Sequence, residues 1–430
     1  MQLPLLLSKP LKLPEAFYNF FLILYRSAIS ISSLWSPKAK KWITGRRNVF
    51  QNIRSEIGIQ PPPSIWIHCS SLGEFEQGKP VMEMLRMQNP GRKIVLTFFS
   101  PSGYEVKKKY SNVDHVFYLP LDSKKNSTQF LDLINPVLVV FVKYDYWYYY
   151  LDQIKKRKIK CLLISAVFRR NQAFFKWYGT LQRRMLDCFT QIFVQTEESK
   201  KLLDSIQIHK CIVSGDTRFD AVVDTMEKFT GLPAIEKFVG EEKCVVAGST
   251  WQDDEVILKK AFELAGTRDL KLVIAPHEID KTHLDHLQKL FPDSRKFSEL
   301  KMSGPQDSQT LIIDNVGMLS RLYKYAYITY VGGGFTKDGV HNVLEAAVYG
   351  RPVLFGPNFK KYREAVALIE SGGAQFFHDA AELGNIMKGL LKEKNEYETR
   401  SAAAEMYVSA NKGATRRVMN YIEENRLLTS

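Results

Sequence analysis

Eleven short apolar runs rich in β-branched residues recur between residues 64 and 357, separated for the most part by polar, helix-compatible stretches. In the first half they are SIWIHCS, KIVLTFFS, VLVVFVKYD, KCLLISAVF, QIFVQT and KCIVSGD. KCVVAGS, LKLVIAP, TLIIDN, YAYITYVGG and RPVLFGP follow in the second. Strands that are apolar along their whole length must be covered on both faces, which is the signature of parallel sheets flanked by helices. Residues 227–240, EKFTGLPAIEKFVG, contain Gly and Pro but no such run. A chain of 430 residues also exceeds what one core usually serves. The expected architecture is α/β, with two doubly wound, Rossmann-like domains facing each other across a cleft. The first is expected over 46–228, a linker over 229–240 and the second over 241–405.

Charge narrows the partners. A formal net charge of +14 favours anions: nucleic acid, an anionic membrane surface or a phosphorylated substrate. No nucleic-acid reader motif accompanies the charge, so no nucleic-acid partner is expected. Cys69, Cys161, Cys188, Cys211 and Cys244 lack C-x-x-C spacing and read as buried thiols in a reducing compartment. Residues 16–35, AFYNFFLILYRSAISISSLW, are about as long as a bilayer span but carry Arg26 and four serines. The stretch reads as a membrane-anchor helix, spanning weakly or lying at the interface, with 1–45 as anchor and basic flank. Lys38, Lys40, Lys41, Arg46 and Arg47 follow it, which puts the domains on the cytoplasmic side. Lys9 and Lys12 before a long aromatic stretch, with no A-x-A-like site, argue against a cleaved signal peptide. The alternative is a first helix packed on the globular body.

Ligands of parallel sheets bind beyond the carboxyl ends of the strands. Small and polar residues gather there: HCSSLGE, FFSPSG, KYDYW, SGDTRFD, AGSTWQDDE, APHE, YVGGGF and GPNF. In HCSSLGEFEQGKPV (68–81), Ser71 and Glu74 have capping-box spacing, with Ser71 the N-cap and Glu74 reaching back to its N–H. The same carboxylate at the mouth of a cleft is also a candidate base. In residues 330–359, Gly332, Gly333 and Gly334 close a strand and either admit a ligand to the backbone or serve tight packing. The DGVHN turn opens a helix, NVLEAAVYG, whose N-terminus suits a phosphate and whose Glu345 suits a ribose diol. Lys337 stands where a dehydrogenase fingerprint needs its third glycine, and no G-x-x-x-x-G-K-[ST] loop exists. The lack of an Asp-x-Asp pair argues against a metal-dependent sugar-nucleotide transferase. Ser249 and Thr250 suit a phosphate or a helix cap, and Arg218 is either an anion partner or a surface arginine. His277, His283 and His286 lack H-E-x-x-H spacing, so no metal site is expected. His68 and His341 stand beside the two main motifs. YDYWYYYL (144–151) is an aromatic platform or a strand-packing segment.

With these residues in view, the chain resembles the 3-deoxy-D-manno-octulosonic acid (Kdo) transferases of lipopolysaccharide synthesis, metal-independent glycosyltransferases of the GT-B fold. The resemblance runs in order from the N-terminus to about residue 405. It rests on SLGEFEQGKP, YLPLD (118–122), SGDTRFD, AGSTWQDDE and VGGGFTKDGVHNVLEAAVYGRPVLFGPNF. It implies inverting transfer of Kdo from CMP-Kdo to a phosphorylated lipid A precursor, lipid IVA, with Glu74 as general base. Ser71, Gly73, Ser102 and Asp145 would lie on the acceptor side. Arg218, Ser249, Thr250, Pro276, His277, Gly332, Gly333, Gly334, His341, Asn342 and Glu345 would surround CMP-Kdo. No metal or cofactor is implied. The resemblance also implies residence at the anionic surface of the inner membrane, and a C-terminal helix (406–430) returning to the first domain.

Two departures stand out. Where the family often shows Glu-x-Glu-Leu-Trp-Pro-Asn, this chain has KYDYWYYY, with Lys143 and Asp145 in place of the acids. Where it usually shows Pro-Arg-x-Pro, this chain has APHEID, so Pro276 is followed by His277 and the arginine is missing. The implied chemistry is coherent. A carboxylate takes the proton of the attacking hydroxyl, a helix N-terminus keeps it ionised, and backbone N–H groups with Arg218 receive charge on the leaving phosphate. The alternatives are another GT-B enzyme with a UDP-sugar donor, or a non-catalytic membrane-associated nucleotide- or glycan-binding protein on the same scaffold.

Overall fold

A computed structural model describes residues 13–58, 60–266, 270–300 and 308–428. Lys9, Lys12 and the first twelve positions of the expected anchor lie outside the described residues. The chain forms two compact units: one up to Arg218 and again from Gly413, the other Phe219–Lys412.

The first unit is built on seven strands: β1 (Ser64–Cys69), β2 (Lys93–Phe98), β3 (His115–Tyr118), β4 (Pro136–Val142), β5 (Lys160–Ala166), β6 (Gln191–Val194) and β7 (Cys211–Val213). They pair in parallel in the order β3-β2-β1-β4-β5-β6-β7. β1 is buried at every residue, because cores form on both its faces. Trp66, Phe130, Phe141 and Tyr150 fill one side; Ile65, Ile67, Phe75 and Phe98 fill the other. The strand order reverses direction between β1 and β4, so the loops after these two strands flank the switch point.

The second unit repeats the plan with β8 (Lys243–Thr250), β9 (Leu270–Pro276), β10 (Arg295–Lys296), β11 (Thr310–Ile312), β12 (Ile328–Val331), β13 (Val353–Phe355) and β14 (Ala374–Phe376). Their order is β10-β11-β9-β8-β12-β13-β14, again parallel, with the switch point between β8 and β12. The stretch read as a linker contributes a helix, Pro233–Val239, whose Ile235 and Val239 belong to this unit's core. Pro at its first position fixes the helical φ where no N–H partner is needed.

The N-terminal segment folds as α1 (Leu13–Ser32), α2 (Pro37–Thr44) and α3 (Val49–Ile57). α1 packs on the first unit through residues three or four apart. The Tyr18 hydroxyl donates to Asp122 (2.6 Å), and the Tyr25 ring lies 6.0 Å from both Trp42 and Phe99. Phe17, Phe20, Phe21, Leu24 and Ile31 recur on its outer side and are all more than half exposed. Among the described residues, no helix is long and apolar enough to cross a membrane. The expectation of a spanning anchor is therefore corrected. Arg26, the serines and the tyrosine hydroxyls make this a helix laid along the protein.

Candidate active site

Polar side chains of the first unit converge where β1, β2 and β4 end. β1 runs into α4 (Leu72–Gln88), and Gly78 lets that helix lie close on the sheet: a Cβ there would stand 3.0 Å from Val142 and 3.2 Å from the Cys69 sulfur. Ser71 is the N-cap, in extended geometry (φ −141°), but makes no side-chain cap. Its hydroxyl donates to the Glu74 carboxylate one turn on. The expected capping box is thus not formed, because the hydroxyl that would accept a backbone N–H is turned onto the carboxylate. Gly73 is exposed beside it. Ser100 ties the end of β2 to this turn by donating its N–H to the Ser70 carbonyl (2.7 Å). The Ser100 and Ser102 hydroxyls share a hydrogen bond of 3.0 Å.

β4 is followed by Lys143, whose φ of +68° turns the chain sharply. Beyond it Asp145 is 7% exposed and lies 3.1 Å from Nε2 of His68, which is wholly buried. Trp147 Nε1 donates to the same nitrogen at 3.2 Å. Nδ1 of His68 lies 2.8 Å from the Thr97 hydroxyl, which also accepts from Trp66 Nε1 (2.8 Å). A nitrogen that accepts from Trp147 cannot donate to Asp145, and Asp145 Oδ2 has no hydrogen-bond partner. Sequence reasoning singled out His68 and Asp145, and Trp147 as part of YDYWYYYL, but missed Trp66 and Thr97. Only pairing of β1 with β2 and β4 joins them.

Arg218 is drawn back onto its own chain. Its Nε and Nη2 lie 3.0 and 2.7 Å from Asp216 Oδ2, and its N–H donates to Oδ1 (3.0 Å). Gln77 of α4 donates to the same carboxylate (3.4 Å), and Thr217 donates to the Gln77 carbonyl. The guanidinium is already paired, so Arg218 is not the free anion partner expected.

In the second unit the sequence motifs meet at the β8/β12 switch point. Ser249, at φ +54°, and a break of register after Gly248 turn the end of β8. Thr250 is fully buried and donates to Glu255 (2.8 Å), which also bonds His283 (2.9 Å). Its hydroxyl is therefore engaged by Glu255 rather than capping the helix that follows. Asp254, equally buried, accepts from the Trp251 N–H (2.9 Å), the Gly333 N–H (2.9 Å) and the Tyr330 hydroxyl (2.7 Å). Burial raises its pKa while the three donors oppose the rise. One carboxylate thus pins AGSTWQDDE to VGGGF.

The glycines here serve packing. A Cβ at Gly332 would stand 2.3 Å from the Ser249 carbonyl oxygen, and one at Gly334 would stand 2.5 Å from the Gly356 nitrogen. Gly333 holds φ +87°.

Three rings stack beside them. His277 lies 4.7 Å from Trp251 and 4.4 Å from His341, with interplanar angles of 28° and 22°. Trp251 Nε1 donates to His341 Nε2 (3.0 Å). Burial, aided by His277, pushes the His341 pKa down to about 4, so its ring is neutral at neutral pH with the proton on Nδ1. Burial also lowers that of His277. Pro276 ends β9 and delivers His277, whose N–H donates to the Thr250 carbonyl (2.9 Å). Trp251 is the member of this ladder that sequence reasoning missed. Asn342 donates to Glu345 (2.9 Å) and accepts the Leu344 N–H (3.2 Å). The helix there is only Leu344–Ala347, not the length of NVLEAAVYG, so its dipole is small and the expected helix-terminus phosphate site is not built. Among the described residues, no group of three or more His, Cys, Asp or Glu is placed to hold a metal ion.

Comparison with known proteins bears on the family and the fold. The family described as 3-deoxy-D-manno-octulosonic-acid transferase (kdotransferase) matches residues 44–221. The chain is 28% identical to the 3-deoxy-D-manno-octulosonic acid transferase of Aquifex aeolicus over 350 residues, covering 80% of this chain and 90% of that one. It is 27% identical over 386 residues to a bifunctional glycosyltransferase/methyltransferase of Fusobacterium nucleatum; the match takes in 85% of this chain but spans only about half (55%) of that relative. Among solved structures, UDP-GlcNAc 2-epimerase from Neisseria meningitidis bound to UDP-GlcNAc is similar at a TM-score of 0.60 and 18% identity, over 84% of this chain and 100% of that one. That likeness is one of fold: GT-B-like, with two parallel-sheet α/β domains. Residues 44–221 thus match the 3-deoxy-D-manno-octulosonic-acid transferase family, and most of the chain is similar to transferases of that name at 23–28% identity.

Proposed function

We propose that the protein transfers Kdo from CMP-Kdo to a phosphorylated lipid A precursor, lipid IVA, with inversion and without a metal. The observation that carries the assignment is the family match over 44–221, the segment that includes Glu74 at the β1/β4 switch point. Glu74 takes the proton of the acceptor hydroxyl as its oxygen bonds to the anomeric carbon and the bond to the CMP phosphate breaks. A base so placed accelerates such a step by roughly 10²–10⁴-fold. The Ser71 hydroxyl aims the carboxylate and leaves its second oxygen for the acceptor. On the donor side, the Trp251–His277–His341 ladder offers a flat surface beside Asn342 and Glu345, and backbone N–H groups of the same unit meet the leaving phosphate.

We place the protein on the anionic cytoplasmic surface of the inner membrane, with the exposed apolar side of α1 in the interface. The test is radiolabel transfer from CMP-Kdo, generated in situ, to a tetra-acylated lipid A precursor with EDTA present, comparing wild type with Glu74→Ala and Glu74→Gln. Label in lipid from wild type alone is the expected result. Wild-type protein that binds CMP yet transfers nothing, or transfers from a UDP-sugar instead, would sink the assignment.

A further inference from the structure

The first unit has a cavity of about 530 Å³, open to solvent on one side, between the end of α1, α2, the start of α3 and the Pro120–Leu121 turn. Three arginines line it: Arg26, Arg46 and Arg47. None of the three has a carboxylate partner among the described residues.

Arg46 is held but not neutralised. It donates to the carbonyls of Trp42 (3.1 Å), Phe99 (2.6 Å) and Leu119 (2.9 Å), and its guanidinium carbon lies 4.2 Å from the Trp42 ring centroid and 4.8 Å from that of Phe99. Burial pulls its pKa down to about 9, the mark of a cation short of countercharge. The side chains of Arg26 and Arg47 are exposed, with no hydrogen bond among the described residues. Asn48, the N-cap of the nine-residue α3, makes no side-chain cap, and the first turn of that helix lines the same cavity. All of this favours an anion with several acceptor oxygens.

The apolar surface beside the cavity says which anion. Arg26 and Ser30, at its rim, sit on the flank of α1 between the packed stripe of Tyr18, Leu22, Tyr25 and Ile29 and the exposed Phe17, Phe20, Phe21 and Leu24. A soluble phosphate would satisfy the arginines and leave those rings in water. A lipid satisfies both. We propose that this cavity binds the phosphate headgroup of an anionic membrane lipid whose acyl chains lie against the exposed face of α1. The inference rests on the reading that α1 meets the membrane and is independent of the transfer chemistry.

Flotation of the full chain with phosphatidylcholine vesicles, with and without phosphatidylglycerol, tests it. The paired variant Arg26→Gln/Arg47→Gln is expected to lose about tenfold more partitioning into phosphatidylglycerol vesicles than Lys38→Gln/Lys40→Gln, which removes the same charge outside the cavity. Arg26→Lys/Arg47→Lys should recover part of the loss, and glycerol phosphate in excess should displace wild type. Equal losses in the two pairs would show diffuse attraction and overturn the site. Binding of glycerol phosphate with no vesicle binding would show a soluble-phosphate site and overturn the lipid assignment. Transfer to a detergent-dispersed acceptor is expected to stay at wild-type rate in the arginine pair, so a failed transfer assay and a failed flotation assay judge separate claims.

Discussion

His341 carries one of the clearer consequences of burial at the candidate site. Its neighbours hold it neutral: Trp251 donates to one nitrogen, His277 stacks on its face, and its pKa falls to about 4. Above pH ~6.5 the ring is neutral in folded and unfolded chains alike, so it contributes nothing to pH dependence. Below that value the unfolded chain takes up a proton that the folded chain refuses until about pH 4, and stability is lost as pH falls through this window. After allowance for solvent screening the loss is about 1–2 kcal/mol. The carboxyl of Asp254, raised by burial, works in the opposite sense over acidic pH, but it is common to wild type and variant and cancels in their difference. His341→Asn, which keeps an acceptor for Trp251, should therefore be less acid-sensitive than wild type. The apparent Tm gap between the two should narrow from pH 7.5 to pH 5. A gap that stays constant would mean the ring is not held neutral.

Among the elements, the loops after β8 and β12 depend on bare backbone touching bare backbone. Gly332 faces Ser249 and Gly334 faces Gly356, with main-chain atoms nearest in both cases, so no side chain can swing aside. Gly332→Ala and Gly334→Ala should each cost about 2–3 kcal/mol in the stability of the second unit. Gly91→Ala, with nothing within 4 Å, should be near neutral by comparison. Thermal unfolding of the three variants checks this, and equal stabilities would refute the packing role. These contacts mark where sequence reading stops. Eleven of the fourteen strands were legible because a strand covered on both faces has to be apolar throughout, as in SIWIHC and LKLVIAP, whereas the short β3, β10 and β14 carry no such run. The GGG turn was legible as a place of close approach, but not what approaches it, since Ser249 and Gly332 are joined only when β8 pairs with β12. Ser71 and Glu74 were legible as a pair. The direction of their hydrogen bond was not, because three-residue spacing serves a cap and a hydroxyl–carboxylate contact equally. Spanning, interfacial and packed readings of α1 stayed open in the sequence because hydropathy alone does not register Tyr18 reaching Asp122, 104 residues away.

At the scale of the whole chain, the first unit is completed by residues that come last. The chain leaves it at Arg218 and re-enters at Gly413. There Val418, Met419 and Ile422 join the core formed by β1, β2 and α4, and Tyr421 meets Phe193 edge-on at 5.4 Å. Polar contacts fix the docking: Arg417 donates to the Ser214 carbonyl (2.7 Å), Gln88 to Glu423 (2.6 Å), and Arg92 to the Leu428 carbonyl (2.9 Å). Burying three such apolar side chains is worth about 5–8 kcal/mol in all, an upper bound because the unfolded chain already buries some of that surface. This is comparable with the whole net stability of a domain. Deleting residues 413–430 should therefore unfold or loosen the first unit, which carries Glu74, and leave the second, Phe219–Lys412, close to its native stability. Hydrogen exchange read by peptide resolves the two. Protection should collapse in β1, β2 and α4 while β8, β9 and β12 keep theirs. Uniform loss in both units would show that the C-terminal segment stabilises more than the core it enters. No loss in either would show that the first unit closes without it.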